Sequence, residues 1–386
     1  MKTPLPSILD LCRPEVRALP AYNAGVSEAA AIARYKLTRV TKLSSNENPF
    51  GASPHALAAL RESLGHVHRY PDPACAALRH RLQVRCGIDA DRIVIGNGSE
   101  DIIEGICIAM LSPGDRVVTL APSFGLHEIF PRMMGAHVDK VGVTAQFAYD
   151  LPAWRRALAR PAKIVMFSTP SNPVGCILTA EQFTALVEAS PADALLVVDE
   201  AYCEYAAGPD YPDSVKLLSA QARPWIVLRT FSKAYGLAGL RIGYGIASEP
   251  DLVSVLNRVR TPFNVNGAAQ AAAIAALDDT DHLQAAVAAC RRERTSLAAR
   301  LRALEERQNY GLRIAPSWGN FLFIDTARAS VEVADALMRR GVIVKPWLEA
   351  GFDTFIRVTV GNAEDSEHFL AALVQAMGGF AVTRRG

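Results

Sequence analysis

The sequence has no long apolar run. Its most hydrophobic stretches, 192–198 and 271–277, fall far short of the roughly 18 residues a membrane-spanning helix requires. Charge of one sign is not in excess: 41 Lys and Arg stand against 39 Asp and Glu, a formal net charge of +2. Nucleic-acid and polybasic membrane-surface roles need a dense cationic face, so this balance argues against both. Cysteine is sparse and scattered. The seven residues at 12, 75, 86, 107, 176, 203 and 290 form no C-x-x-C pair and have no histidine at metal-ligand spacing. That pattern predicts reduced structural thiols, no metal site and a cytoplasmic address. The opening MKTPLPSILDLCRPE carries prolines and charges where a signal peptide needs an unbroken apolar core, so no leader is expected. Internal repeats, low-complexity tracts and Gly/Ser-rich linkers are also missing.

What is present is an ordinary globular balance: 386 residues, 50% hydrophobic and 21% charged. A chain beyond roughly 250–300 residues usually builds more than one core. Residues 1–43, with Pro4, Pro6, Pro14 and Pro20, read as an arm packing with a small domain. From Ile93 apolar runs alternate with helical stretches: IVIG (93–96), VVTL (117–120), KIVMF (163–167), LLVVDE (195–200), IVLRT (226–230) and RIGYGI (241–246). Runs of this length without polar alternation suit strands buried on both faces. Their alternation with helices predicts an α/β fold whose large domain (44–265) holds a mostly parallel, doubly wound sheet. One strand could still run antiparallel. After Pro262 an Ala-rich helix, a long charged helix and three strand-like stretches (311–325, 342–345, 354–360) predict a smaller α/β domain over 266–386.

The densest chemical signal is TFSKAYGLAGLRIG (230–243). A lysine held in an apolar site is easier to deprotonate, so Lys233 can serve as nucleophile and base. Ser232 and Arg241 offer a hydroxyl and a cationic fork, phosphate ligands in type. Together they suggest a phosphorylated aldehyde cofactor. In VVDEAYCEY (197–205), Asp199 ends an apolar strand, where open α/β sheets bind ligands. A carboxylate there can hold a pyridinium nitrogen protonated, and Tyr202 can reach the ring's phenolic oxygen. STPSNPVG (168–175) fixes a turn from which Asn172 offers an amide to the same oxygen. In IGNGSED (95–101) a strand meets a glycine turn and a helix, so Gly98, Ser99 and Glu100 aim backbone N–H groups at an anion. This turn is not G-x-G-x-x-G, which removes the dinucleotide fingerprint. Phe124, at the next strand's end, can stack on a ring. Tyr70 stands in the proline-rich loop RYPDP (69–73), and Arg357 lies inside the apolar strand FIRVTVG (355–361). An arginine in such a strand is costly unless it meets an anion.

With these motifs assembled, the chain resembles the pyridoxal-phosphate-dependent aminotransferases of class I/II, fold type I. More narrowly it is similar to the histidinol-phosphate aminotransferase family, from LPAYNAG and LSSNENPFG near the start to IRVTVG near the end. The resemblance implies that Lys233 joins the cofactor and then moves the substrate's proton. Asp199 would pair with the pyridine nitrogen, Tyr202 and Asn172 with its phenolic oxygen. Gly98, Ser99, Glu100, Ser232 and Arg241 would hold the phosphate, Phe124 would stack on the ring, and Tyr70 would reach the phosphate of the neighbouring subunit of a homodimer. Tyr22, Asn46, Lys345 and Arg357 would face the substrate, with Asn46 near the entrance. The implied reaction converts histidinol phosphate and 2-oxoglutarate to imidazole acetol phosphate and glutamate in histidine biosynthesis. The family usually has Tyr where Phe124 stands, often an Asp-Glu order in the 99–101 loop, and in many members Arg at Lys345. Lysine is a point charge and cannot make a bidentate contact. These departures leave open an aromatic or other amino-acid aminotransferase. A lyase, decarboxylase or oxidase on the same fold, or a silent binding protein, are further alternatives.

Overall fold

Each apolar run in the middle of the chain becomes a buried strand. The computed structural model, which describes residues 7–19 and 25–379, begins its sheets with a short strand, β1 (Thr41–Lys42). Seven more follow: β2 (Ile93–Gly96), β3 (Arg116–Ala121), β4 (His137–Gly142), β5 (Ile164–Ser168), β6 (Leu195–Asp199), β7 (Trp225–Thr230) and β8 (Gly243–Ala247). They form one sheet in the order β2-β8-β7-β6-β5-β3-β4. The neighbours from β7 to β4 are parallel, whereas β8 runs antiparallel to both β2 and β7. The reversal has a simple cause. Residues 231–242 hold only a single turn of 3₁₀ helix, Ala238–Leu240, and without a crossover helix the chain must turn back. Lys233 and Arg241 both lie in this return.

Alternation along β6 shows why both faces are apolar. Leu196 and Val198 join a cluster with Trp154, Phe183 and Leu78 on one side. Leu195 and Val197 pack with Ile102, Ile106 and Leu252 on the other, as the two-residue period of a strand requires. The helix Gly267–Asp278 buries Ala269, Ala272, Ala273 and Ala276 in the first of these clusters. It packs there against the helix Pro54–Ser63.

A second core lies beyond. Strands β9 (Arg313–Ile314), β10 (Phe321–Asp325), β11 (Val342–Ile343), β12 (Lys345–Pro346) and β13 (Phe355–Thr359) build two small sheets. The antiparallel one has the order β12-β13-β10-β9, while β11 pairs in parallel with β1. The stretch 342–345, expected as one strand, is thus shared between two sheets because the arm segment takes its first half. Leu322, Ile324, Val333, Leu337, Ile356 and Phe369 form the core here. The helix Glu28–Tyr35 sets Ala31 against Met338 and Ile343. The 29-residue helix Thr280–Gln308 joins the two cores: Leu283 and Val287 lie in the large one, Leu297 and Leu301 in the small one. Among the described residues no helix is long and apolar enough to cross a membrane.

Candidate active site

The carboxyl ends of the central strands open onto a cavity of about 730 Å³, within the range that holds small molecules and cofactors. Its floor is built first by β2. The strand runs through Gly96 into Gly98, which caps the helix Ser99–Met110 at φ +85°. A side chain at Gly98 would meet Arg241 Nη2 at 2.7 Å, and one at Gly243 would meet the Ser99 amide nitrogen at 2.6 Å. Gly98 is thus required by its positive φ and Gly243 by close approach of backbone, and they leave the helix N-terminus and its dipole facing the cavity. Arg241 donates to Ser232 Oγ (3.4 Å), to the Ala238 carbonyl (3.0 Å) and to Glu100 Oε1 (2.7 Å). Glu100 thus contributes an ion pair to Arg241 as well as its backbone.

Asp199 ends β6 and is buried. Its Oδ1 accepts from the Ala201 amide (3.0 Å), and Oδ2 lies 3.2 Å from Nε2 of the fully buried His127, whose Nδ1 is 3.1 Å from Ser123 Oγ. This Ser-His-Asp line orients the carboxylate, since the ring is held between the Ser123 hydroxyl and Asp199. His127 escaped the sequence reading. Its only signal is a four-residue spacing from Ser123 at the start of the helix Leu126–Met133.

Lys233 projects into the same cavity and donates to the Ser45 carbonyl at 3.0 Å. Burial, with the Arg357 guanidinium second, pushes its pKa down to about 8. Tyr202, 5.9 Å from Lys233 Nζ at its ring centre, accepts a hydrogen bond from Asn46 Nδ2 at 2.9 Å. Asn46 lines the cavity too, but is itself fully buried, at φ +55°, and bonded to Thr359 and Asn320. Asn172 turns its Oδ1 to Arg357 Nη1 at 2.7 Å, and the Ser44 carbonyl accepts from Nη2 at 2.6 Å. Arg357 sits at the centre of β13, directly opposite Lys345 on β12. Two cations therefore lie side by side, and burial followed by Arg357 lowers the Lys345 pKa. Phe124 lines the cavity too.

At the rim, Glu349 joins the two halves of the molecule. It accepts from Lys140 Nζ (2.9 Å), Trp347 Nε1 (3.3 Å) and the Ser123 amide (3.4 Å). Neither this residue nor Lys140 was legible as a site residue. Of the expected site residues among those described, Tyr70 is the one the cavity of this chain does not include; it is 82% exposed and stacks on Phe263. Tyr22 lies outside the described residues. No group of three His, Cys, Asp or Glu able to hold a metal occurs among the described residues.

Comparison with known proteins agrees with this geometry. Residues 38–373 match the family model for aminotransferase class I and II. Histidinol-phosphate aminotransferase 3 of Rhizobium meliloti is 48% identical over 95% of this chain and 98% of its own. Histidinol-phosphate aminotransferase 1 of Mesorhizobium japonicum is 46% identical over 95% and 99%. Among solved structures, the histidinol-phosphate aminotransferase of Sinorhizobium meliloti in complex with pyridoxal-5'-phosphate superposes with a TM-score of 0.85 at 29% identity, covering 95% of this chain and 97% of that one. The cavity suits such a cofactor. A helix N-terminus with Arg241 and Ser232 matches a phosphate, and Asp199 matches a ring nitrogen. The buried hydroxyls of Thr119 and Ser168 in the wall have no hydrogen-bond partner within the protein, as expected of a wall that serves a polar occupant. The chain belongs to the class I and II aminotransferases, which depend on pyridoxal phosphate, and within them to the histidinol-phosphate aminotransferase family.

Proposed function

We propose that the protein transfers the amino group of histidinol phosphate to 2-oxoglutarate, yielding imidazole acetol phosphate and glutamate, as a cytoplasmic homodimer serving histidine biosynthesis. The observation that carries this reading is the cation pair, Arg357 opposite Lys345, in the same cavity as Lys233. A phosphate on one substrate and a carboxylate on the other can be met by the same arginine. The relatives' shared name supports the choice of donor.

Bound pyridoxal phosphate would supply the electron sink that lets a proton leave the substrate's α-carbon. The rest of the work belongs to the chain. Gly98, Ser99, Glu100, Ser232 and Arg241 would hold the phosphate, and Phe124 would pack on the ring. Asp199, oriented by His127, would pair with the ring nitrogen and favour its protonated form, and Tyr202 and Asn172 would serve its phenolic oxygen. Lys233, whose pKa burial lowers to about 8, can pass between amine and ammonium, so its Nζ can take the proton from the substrate's α-carbon, hold it and give it back. Arg357 and Lys345 orient the substrate through its anion, with Tyr22 and Asn46 on the substrate side. Tyr70 serves the neighbouring subunit's phosphate. The arm over 1–43, a large domain over 44–265 and a small one over 266–386 are the corresponding divisions.

Incubating the purified holoenzyme with histidinol phosphate and 2-oxoglutarate, and following both products by mass spectrometry, tests the reading. Stoichiometric imidazole acetol phosphate and glutamate are expected. Turnover of α-amino carboxylates with no reaction of histidinol phosphate would move the protein to an amino-acid aminotransferase and make Lys345 the mark of that change.

A further inference from the structure

Tyr70 presents its ring to solvent rather than to its own cavity, yet it is not loosely held. Its ring lies on that of Phe263, with centroids 4.5 Å apart and planes 21° from parallel. Phe263 itself is 39% exposed and adopts φ +57°, a left-handed conformation that a bulky residue takes only when its surroundings enforce it. The surroundings do so. Arg260 donates to the Pro73 carbonyl (2.7 Å) and to Asn264 Oδ1 (3.1 Å), and Gln270 Nε2 donates to the Asp72 carbonyl (3.1 Å). Asn264 Nδ2 in turn donates to Asp101 Oδ2 at 2.7 Å, an oxygen that also accepts from the Asn97 amide at 2.8 Å. Asn97 precedes Gly98. The two loops and the phosphate cradle are thus one hydrogen-bonded assembly, and its outermost feature is a pair of stacked rings.

We propose that Phe263 is a positioning residue: its ring props Tyr70 in the orientation from which the tyrosine hydroxyl reaches the cofactor phosphate of a second copy of this chain. This rests on the reading that Tyr70 serves the neighbouring subunit, and deepens it by naming the residue that aims it. Two-fold pairing is reciprocal, so each cradle would receive a tyrosine aimed by the other chain's Phe263. A flexible exposed tyrosine would lose rotamer freedom on making that contact; a stacked one has already lost it.

The test is cofactor retention by the holoenzyme, read as the rate of pyridoxal phosphate loss after dilution into cofactor-free buffer, with sedimentation velocity to follow the dimer. Tyr70→Phe removes one hydrogen bond to a charged group and is expected to speed the loss about tenfold or more. Phe263→Gly keeps a residue at ease with positive φ while removing the ring, and is expected to speed it about three- to tenfold with the dimer intact. Phe263→Tyr should restore the wild-type rate. The double variant Tyr70→Phe/Phe263→Gly should be no faster than Tyr70→Phe alone. Additive effects in the double variant, or a wild-type rate for Phe263→Gly, would overturn the positioning role and leave the reading of Tyr70 standing. Monomers in Phe263→Gly would also overturn it, since the ring would then hold subunits together instead of aiming a hydroxyl. No effect of Tyr70→Phe would remove both. Phe263→Asn, also tolerant of positive φ, replaces the glycine variant should that one not fold.

Discussion

The cavity has two halves of different construction. On the cofactor side, Gly98, Ser99, Asp199, Lys233 and Arg241 stand at the end of β6, in the turn after β2, or in the return between β7 and β8. On the anion side, Arg357 and Lys345 stand on the short strands β13 and β12. The first half is positioned by the sheet itself, so its geometry follows from strand order. The second is positioned by contacts from distant segments: Arg357 is held by Asn172 after β5 and by the Ser44 carbonyl. Under the proposed function, reaction chemistry is thereby tied to the fold, and substrate choice to side chains that can be exchanged one at a time.

This contrast can be broken first at Lys233. Lys233→Ala should lower kcat about 10⁴-fold or more for every amino donor alike. The lysine's pKa of about 8 adds a pH signature. Only the neutral amine attacks an aldehyde, so capture of pyridoxal phosphate by the cofactor-free protein should rise about tenfold per pH unit below that value and flatten above it. A rise continuing to pH 10 would mean an ordinary, solvated lysine. Asp199→Asn removes a charge whose attraction for a pyridinium is about 4 kcal/mol at ~4 Å and an effective dielectric near 20. A kcat loss of about 10³-fold is expected, again for all substrates.

The anion side should respond selectively. Lys345→Gln is expected to raise KM for histidinol phosphate about tenfold, with kcat and cofactor affinity nearly unchanged. An equal loss for every donor would show that Lys345 serves the cofactor side instead. The smallest effect belongs to the rim. Lys140→Met breaks partly exposed ion pairs to Glu128 and Glu349, and pairs of that kind contribute about 0.2–1 kcal/mol. KM should change by no more than about fivefold, and a larger change would mark the rim as a substrate contact.

The same contrast explains what could be read from the residues alone. Lys233, Asp199 and the Gly98 turn were legible because a polar residue directly after a buried apolar strand is chemically conspicuous. The reversed β8 was not, because antiparallel and parallel buried strands share one hydrophobic pattern. His127 was invisible for a related reason: one histidine in a short helix gives no sign that it meets Asp199, 72 residues later. Asn46 carried a motif but not its location, since its burial depends on Thr359 and Asn320 from the far end of the chain. Glu349 and Lys140 meet only when the two halves pack, which no local pattern encodes.

The most direct measurement concerns Arg357, the residue expected to receive both the phosphate of one substrate and the carboxylate of the other. The visible absorbance of the bound cofactor separates the half-reactions: histidinol phosphate should bleach it and 2-oxoglutarate should restore it. In Arg357→Gln, the apparent affinities for both substrates are expected to fall together by about ten- to a hundredfold, with cofactor still bound. Loss of one half-reaction with the other unchanged would contradict a single arginine shared by both substrates.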